Sequence, residues 1–326
     1  MTDPTLYPLR FKPILKDKIW GGARLRDLLG KSASEKAGES WEISGVKDNI
    51  SVVENGFLAG NSLLELAEIY MGDLVGDYIF DRFGVEFPLL IKFIDAADFL
   101  SVQVHPGDTL ARERHNSFGK TEMWYILESD NGQLIAGFNR KLDREQYLEH
   151  FNGGSLKEIL NYEKVAPGDI YFMPAGRVHA IGPGVLLAEI QQTSDVTYRI
   201  YDWDRTGENG QPRELHTELA LDAIDFDMPS SYRTGYQALN NSTVTAVDSP
   251  YFTTSVIKLD MPVEKDYNLI DSFVIYLCTE GTAGITYGRG AIEIIKKGET
   301  LLIPAELKNL AIVPTEPTTM LEVYIK

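Results

Sequence analysis

With one cysteine, Cys278, in 326 residues, the chain can form no internal disulfide and no cysteine-built zinc site. Basic residues are scarce too: 31 Lys and Arg stand against 48 Asp and Glu, a formal net charge of −17. Neutralising a phosphate backbone takes a basic surface, so nucleic acid is not an expected partner. Any anionic ligand must be held by a few local cations against the field of the whole molecule. No run of about 20 apolar residues occurs, so no membrane-spanning helix is expected. The opening segment MTDPTLYPLRFKPIL carries acidic and proline residues where a secretory signal has an apolar run, so a cytoplasmic protein is expected.

Apolar residues make up 44% of the chain, enough for a large core. Most segments read as short strands. IYFMPAG, GVLLAEIQQ, VTYRIYDWD, YFTTSVIKLD, SFVIYLCTEG, AGITYG and ETLLIPA are rich in β-branched and aromatic residues and are bounded by Gly, Pro, Asn or Asp. Helical patterns are few. NSLLELAEIYMGDLVGDYIF has a cap at Asn61 or Ser62 with Glu65 close behind. DREQYLEHFNGGSLKEILNY reads as two short helices split by Gly153-Gly154, and ELHTELALDAIDF follows the acidic loop YDWDRTGENGQPR. The predicted class is mainly antiparallel β with short helical insertions.

An internal repeat supports two sandwich-like β units. EMWYILESDNGQLIAGF followed by VAPGDIYFMPAGRVHAI resembles FVIYLCTEGTAGITYGRG followed by IKKGETLLIPAELKNLAI. Aligning Tyr125 with Tyr276 sets Phe273 against Glu122, and aligning Pro174 with Pro304 sets Asn309 against His179. The expected boundary lies near MPSSYRTG, dividing the chain into residues 1–230 and 231–326.

The segment LSVQVHPGD places Ser101, Gln103 and His105 at alternate positions. In a strand these share one face, with the valines on the other. The chain has five histidines. His115 and His150 lie in polar sequence and read as surface residues, and His216 reads as a helix-start residue. His105 and His179 sit at strand ends in Pro/Gly-rich context, and Glu122 adds a carboxylate on a neighbouring strand of the same repeat unit. Two imidazoles and a carboxylate make a borderline-soft divalent site, suited to Zn²⁺ and also to Fe²⁺ or Mn²⁺, with Gln103 as a neutral fourth ligand. Phe273 and Asn309 at the matched positions predict no metal in the second unit.

Arg199 can act as a fixed cation beside developing negative charge, or it can pair with Asp202 or Asp204. Lys92 and Lys120 interrupt apolar strands, where an ammonium needs a partner. Each either enters a pocket or forms an ion pair with a carboxylate such as Asp95 or Asp98.

Over essentially its whole length the chain resembles the type I mannose-6-phosphate isomerases, zinc-dependent enzymes of the cupin superfamily, in their shorter bacterial branch. The resemblance rests on KDKIWGG, GESWEIS, LSVQVHPGD, GKTEMWYIL, PAGRVHAIGPG and EIQQTSDVTYRIYDWDR. It implies two cupin jelly-roll barrels, the first catalytic and the second degenerate. It implies one Zn²⁺ held by Gln103, His105, Glu122 and His179, with Arg199 as the active-site arginine. Ser101 matches a serine assigned to the substrate phosphate, and Glu189 and Lys120 match other pocket residues. Longer relatives carry a tyrosine where this chain has Ile181, so that contact does not carry over. Arg205 is the candidate for the phosphate wall, with Lys92 beside it. The expected substrate is a sugar phosphate. Another metal-dependent cupin enzyme, such as a dioxygenase, and a non-catalytic sugar-binding protein are the competing classes.

Overall fold

The inner strands of this protein are buried on both faces, because each sheet that builds the site is covered twice. In the computed structural model, residues 6–206 and 210–326 are described. Residues 1–5 of the opening segment and 207–209 of the acidic loop lie outside the described residues. The strands are β1 (Ile14–Gly22), β2 (Ala37–Ser44), β3 (Leu89–Ala96), β4 (Val102–Val104), β5 (Glu122–Ser129), β6 (Gln133–Phe138), β7 (Leu160–Lys164), β8 (Ile170–Met173), β9 (His179–Ile181), β10 (Val185–Gln192), β11 (Tyr198–Tyr201) and β12 (Arg233–Thr234). The chain continues with β13 (Ser242–Asp248), β14 (Thr253–Leu259), β15 (Val263–Asp266), β16 (Val274–Glu280), β17 (Thr282–Tyr287), β18 (Ala291–Lys296), β19 (Thr300–Ile303), β20 (Asn309–Pro314) and β21 (Thr318–Tyr324).

These strands form four sheets, in the orders β1-β2-β3-β10-β5-β8-β12, β11-β4-β9-β6-β7, β13-β14-β21-β16-β19 and β15-β20-β17-β18. The first two sheets enclose an apolar cluster with Ile94, Trp124, Leu134, Tyr171, Ile181 and Leu187. The last two enclose another, with Ile257, Tyr276, Ile285, Leu301 and Ile312. The first and third sheets meet across a third cluster that joins Ile91, Phe93, Met123 and Ile190 to Val256, Ile275, Leu277 and Leu321. All eight residues of β3, LLIKFIDA, are therefore buried, and so are all eight of β10. Such strands read as continuous apolar runs rather than as alternation.

Strand order repeats between the two sheet pairs, since β2-β3-β10-β5-β8 corresponds to β13-β14-β21-β16-β19. Register corrects the sequence alignment by one residue. Glu189 lies between Lys92 and Trp124, and Glu322 lies between Ser255 and Tyr276. Tyr276 thus answers to Trp124, and Val274, not Phe273, answers to Glu122. Val274 points into the second pair's own core, whereas Phe273 faces the cluster shared with the first sheet. By the same logic the inward residue on β20 is Leu310, since Asn309 is exposed. A one-residue slip along a strand exchanges its two faces, so sequence matching alone could not choose.

The helices are α1 (Arg24–Asp27), α2 (Leu63–Val75), α3 (Asp77–Phe83), α4 (Asp108–His115), α5 (Arg144–Asn152) and α6 (Thr217–Ala223). Ser62 is the cap of α2, in a reciprocal capping box with Glu65. The run expected as one helix breaks at Gly76, whose φ of +98° ends α2 before α3 begins. After Gly153-Gly154 no second α-helix forms. A single 3₁₀ turn, Leu156–Glu158, leads into β7, because Leu160 and Tyr162 pair with β6 and the sheet outweighs local helix preference. Helices α1 and α4 have no counterpart in the sequence reading. No helix among the described residues is long and apolar enough to cross a membrane.

Phe273 is fully buried, with its ring centroid 4.7 Å from that of Phe87 in the shared cluster. Phe273→Ala should cost about 3–5 kcal/mol through the cavity it leaves. Asn309→Ala, on the surface, should stay within about 0.5 kcal/mol of wild type. Urea unfolding midpoints measure both, and the reverse ranking would show that these two faces have been assigned the wrong way round.

Candidate metal centre and active-site cavity

Two facing rows of side chains define the site. On the first sheet, Trp41, Lys92, Glu189, Trp124 and Tyr171 stand side by side on five successive strands. On the second sheet, Arg199, Gln103 and His179 form a row across β11, β4 and β9. His105 follows Gln103 by two residues on the same face, just past the end of β4, and Glu122 opens β5. The alternation of Ser101, Gln103 and His105 is therefore the local cause of the arrangement, and antiparallel register supplies the partners.

His105, Glu122 and His179 are buried and offer ligand atoms within 4.8 Å of one another, and they form the one such His/Cys/Asp/Glu group among the described residues. His105 Nε2 is 3.5 Å from Glu122 Oε2, and His179 Nε2 is 3.3 Å from Glu122 Oε1. Each ring is oriented from behind. His105 Nδ1 is 2.9 Å from the Val196 carbonyl and His179 Nδ1 is 2.8 Å from that of Arg177. A carbonyl can only accept, so both Nδ1 atoms carry the proton and both Nε2 lone pairs face Glu122 when the rings are neutral. Burial, then the Lys120 ammonium, keeps the His105 pKa well below its ordinary value, and burial brings that of His179 down to about 4. Both rings are thus neutral near pH 7, the form that binds metals.

Glu122 is fully buried, and neither of its oxygens accepts a well-formed hydrogen bond. Burial, followed by the nearby Glu189 charge, raises its pKa to about 7. A buried carboxylate without donors is costly unless a cation joins it. The chain brings one of its own close by: Lys120 Nζ is 3.3 Å from Glu122 Oε2 and 3.1 Å from His105 Nε2. The Gln103 amide reaches His179 Nε2 at 3.3 Å. Orphaned carboxylate oxygens, two oriented imidazoles and an adjacent amide fit a divalent cation.

Beside this cluster opens a cavity of about 270 Å³. Ser101, Gln103, Lys92, Lys120, Glu189 and Arg199 all line it. Lys92 donates to Glu189 Oε1 at 2.9 Å, rather than pairing with Asp95 or Asp98, and Trp124 Nε1 donates to Glu189 Oε2 at 2.9 Å. Asp95 is taken by Arg24 instead. Burial opposes the Glu189 anion, but Lys92 and Lys120 outweigh it and hold the pKa below the usual carboxylate range. Arg199 pairs with neither Asp202 nor Asp204. Its Nη1 donates to the Glu214 carbonyl at 2.8 Å, and its buried Nε has no acceptor.

Arg205 is not among the residues that line the cavity; it forms ion pairs with Asp98 at 3.3 Å and Asp202 at 2.8 Å. His115 and His150 lie away from the cluster, and His216 is the N-cap of α6. Sequence reasoning missed several wall residues. Lys18, Trp20, Glu39 and Trp41 belong to the KDKIWGG and GESWEIS segments but received no individual role, while Asp195, Thr197 and Arg213 carried no local signal. Lys18 pairs with Glu39 at 3.1 Å, and although burial opposes it, Lys92 and Lys18 lower the Glu39 pKa to about 2.

The chain is similar to known proteins in sequence and in fold. Residues 9–137 match the model of the type I phosphomannose isomerase catalytic domain. A mannose-6-phosphate isomerase from Bacillus subtilis is 36% identical over 307 residues, covering 92% of this chain and 94% of the relative. One from Streptococcus mutans is 35% identical over 305 residues, covering 93% and 94%. The crystal structure of the mannose 6-phosphate isomerase from Bacillus subtilis superposes with a TM-score of 0.86 at 34% identity, over 98% of this chain and 100% of that one. With that identity sustained over nearly the full length, the chain belongs to the type I phosphomannose isomerase family.

Proposed function

We propose that this protein interconverts mannose 6-phosphate and fructose 6-phosphate. The observation that carries the reading is the His105–Glu122–His179 cluster, which its neighbours Gln103 and Lys120 join to a cavity also lined by Glu189 and Arg199. We read the two sheet pairs as cupin jelly-roll units, residues 1–230 and 231–326, with the chemistry confined to the first. Their matching strand order supports this. The metal is Zn²⁺, one per chain, held by His105, Glu122, His179 and the Gln103 amide. When bound, it supplies positive charge that polarises a sugar oxygen.

The rest follows from the side chains. Isomerisation moves a proton between C1 and C2 through a cis-enediolate. The proton beside a carbonyl is weakly acidic, so charge building on O1 and O2 has to be stabilised. Arg199 does this with a guanidinium already anchored through Nη1 to the Glu214 carbonyl. Glu189 is held ionised and fixed by Lys92 and Trp124, which suits it to receive the proton. Lys120, with an ammonium near the metal ligands, is the matching donor to oxygen. Lys92, committed to Glu189, holds that carboxylate in place. Ser101, two residues along β4 from Gln103, meets the distal end of the sugar. An isomerase assay on mannose 6-phosphate with Zn²⁺ under anaerobic conditions tests the assignment, since a dioxygenase needs O₂ and an isomerase does not.

Elemental analysis should find one tightly held Zn²⁺ per wild-type chain. His179→Ala should retain well under a tenth of that after dialysis, since metal affinity depends steeply on each ligand and its orientation. Two metals per chain, or full retention by the variant, would contradict the ligand set.

Arg199→Lys should keep its metal while kcat falls by about 10²–10³, the usual loss of one preorganised donor to a developing oxyanion. If Arg199 were only structural, the melting temperature would drop and the surviving folded fraction would turn over almost normally. Both quantities can be read from one preparation.

A further inference from the structure

A second cavity, of about 380 Å³, lies where the two sheet pairs meet. On β2, Glu39 and Trp41 line the catalytic cavity, while Glu42 turns to the opposite face and lines this one. There Ser40 donates to Glu42 Oε1 at 2.6 Å and Lys31 donates to Oε2 at 2.7 Å. The segment before β1 crosses from one sheet pair to the other. Leu9 exchanges backbone hydrogen bonds of 2.8 and 2.9 Å with Leu302 on β19, and Lys12 N donates to the Val52 carbonyl at 2.9 Å. Between them, Arg10 pairs with Glu299 at 2.9 Å. Thr300 opens β19 opposite Leu277. Paired residues share a face, and Leu277 belongs to the cluster between the sheet pairs, so Thr300 faces the junction too.

Two buried groups here have hydrogen-bonding capacity that the chain does not fill. Thr300 lines the cavity and is 5% exposed, and its Oγ1 has no partner. The Lys31 ammonium, on a side chain 8% exposed, carries three donors, and Glu42 is its one hydrogen-bond acceptor among the described residues. Buried polar groups left unmatched are costly, which points to an acceptor from outside the chain. The local charge also runs against that of the whole molecule. Arg10, Lys12, Lys31 and Lys296 line the cavity with Glu42, Glu54 and Glu299, an excess of one cation on a chain of net charge −17. Glu42 and Glu299 are already paired, with Lys31 and Arg10. Lys12 and Glu54 are exposed and make no side-chain hydrogen bond or ion pair among the described residues.

We propose that this junction cavity is a second ligand site, which takes a small phosphorylated molecule. The Lys31 ammonium holds its phosphate, the Thr300 hydroxyl bonds the same molecule from the facing wall, and Lys12 adds charge at the rim. A phosphate brings acceptor oxygens and negative charge, the two things these groups lack. The cavity is larger than the catalytic one, so a molecule the size of a sugar phosphate fits. Lys12, Lys31 and Thr300 do not line the catalytic cavity, so the two sites are separate. Lys31 belongs to the first sheet pair's side of the junction and Thr300 to the second's. A ligand held by both ties the sheet pairs together and stabilises the chain according to its occupancy.

Calorimetric titration of the full-length, Zn²⁺-loaded protein with glycerol 3-phosphate tests this. Wild type should show saturable binding, and the ligand should raise its melting temperature. The double variant Lys31→Met/Glu42→Gln removes the ammonium without stranding a buried carboxylate, and should weaken binding about 10- to 100-fold. Thr300→Val should weaken it about 3- to 10-fold, the range for one hydrogen bond. Without ligand, Thr300→Val should melt no lower than wild type, because the hydroxyl it removes bonds to nothing in the chain. Both variants should keep the wild-type KM for mannose 6-phosphate within about twofold. The proposal is overturned if wild type binds no glycerol 3-phosphate, or if both variants bind it as wild type does. A KM that rises in step with the lost affinity would place the probe in the catalytic cavity instead. A markedly lower melting temperature for ligand-free Thr300→Val would show that the hydroxyl serves the fold, and would remove Thr300 from the site.

Discussion

The Lys92–Glu189 pair sets the conditions for everything around it. Both groups are buried, and neither would stay charged in that interior alone. Register places them directly opposite each other on β3 and β10, and Trp124 on β5 takes the second carboxylate oxygen. Shifting any of these strands by one residue would turn the charged row toward the apolar cluster behind it. The same register sets Glu122 across from Gln191, and with it the carboxylate that faces the two imidazoles. Ion pair and metal cluster are thus two consequences of one alignment of strands.

The second sheet pair shows what the same architecture becomes when its interior is filled. Glu322 occupies the position of Glu189, and Tyr276 that of Trp124. Lys265, Tyr267 and Tyr276 close on Glu322, so the carboxylate is satisfied by the chain itself. Val274 and Leu310 occupy the places of Glu122 and His179 and pack as core. In the first pair the corresponding carboxylate has a cavity in front of it, and the cations around it are only partly matched by protein acceptors. Open space and unspent hydrogen-bonding capacity separate the two pairs more than strand topology does.

Several failures of sequence reading share a cause. Pairing Phe273 with Glu122 respected residue similarity but not strand face, which only the ladder with β19 and β21 fixes. The helical pattern after Gly154 was genuine as local preference, yet β6 offered its edge and residues 160–164 took it. Arg205 is the candidate cation in sequence, and Arg213 carries no local signal there. Which of them reaches the cavity depends on Asp202, on Asp98 from a distant loop, and on the return of residues 213–216 along β11.

The sequence by itself determined the β-rich class, the repeat, and the alternating Ser101, Gln103 and His105. Each is a local property, set by strand periodicity and by residues too polar to be buried without purpose. It also singled out Glu122 and His179, because strand-end ligands in turn-rich context stand out without knowledge of their neighbours. Tertiary structure decided the partners: that Lys92 meets Glu189 rather than Asp95, that Arg199 is anchored on Glu214, and that Arg213 rather than Arg205 faces the cavity. The first two choices join residues 97 and 15 positions apart, and antiparallel register brings the more distant pair within reach.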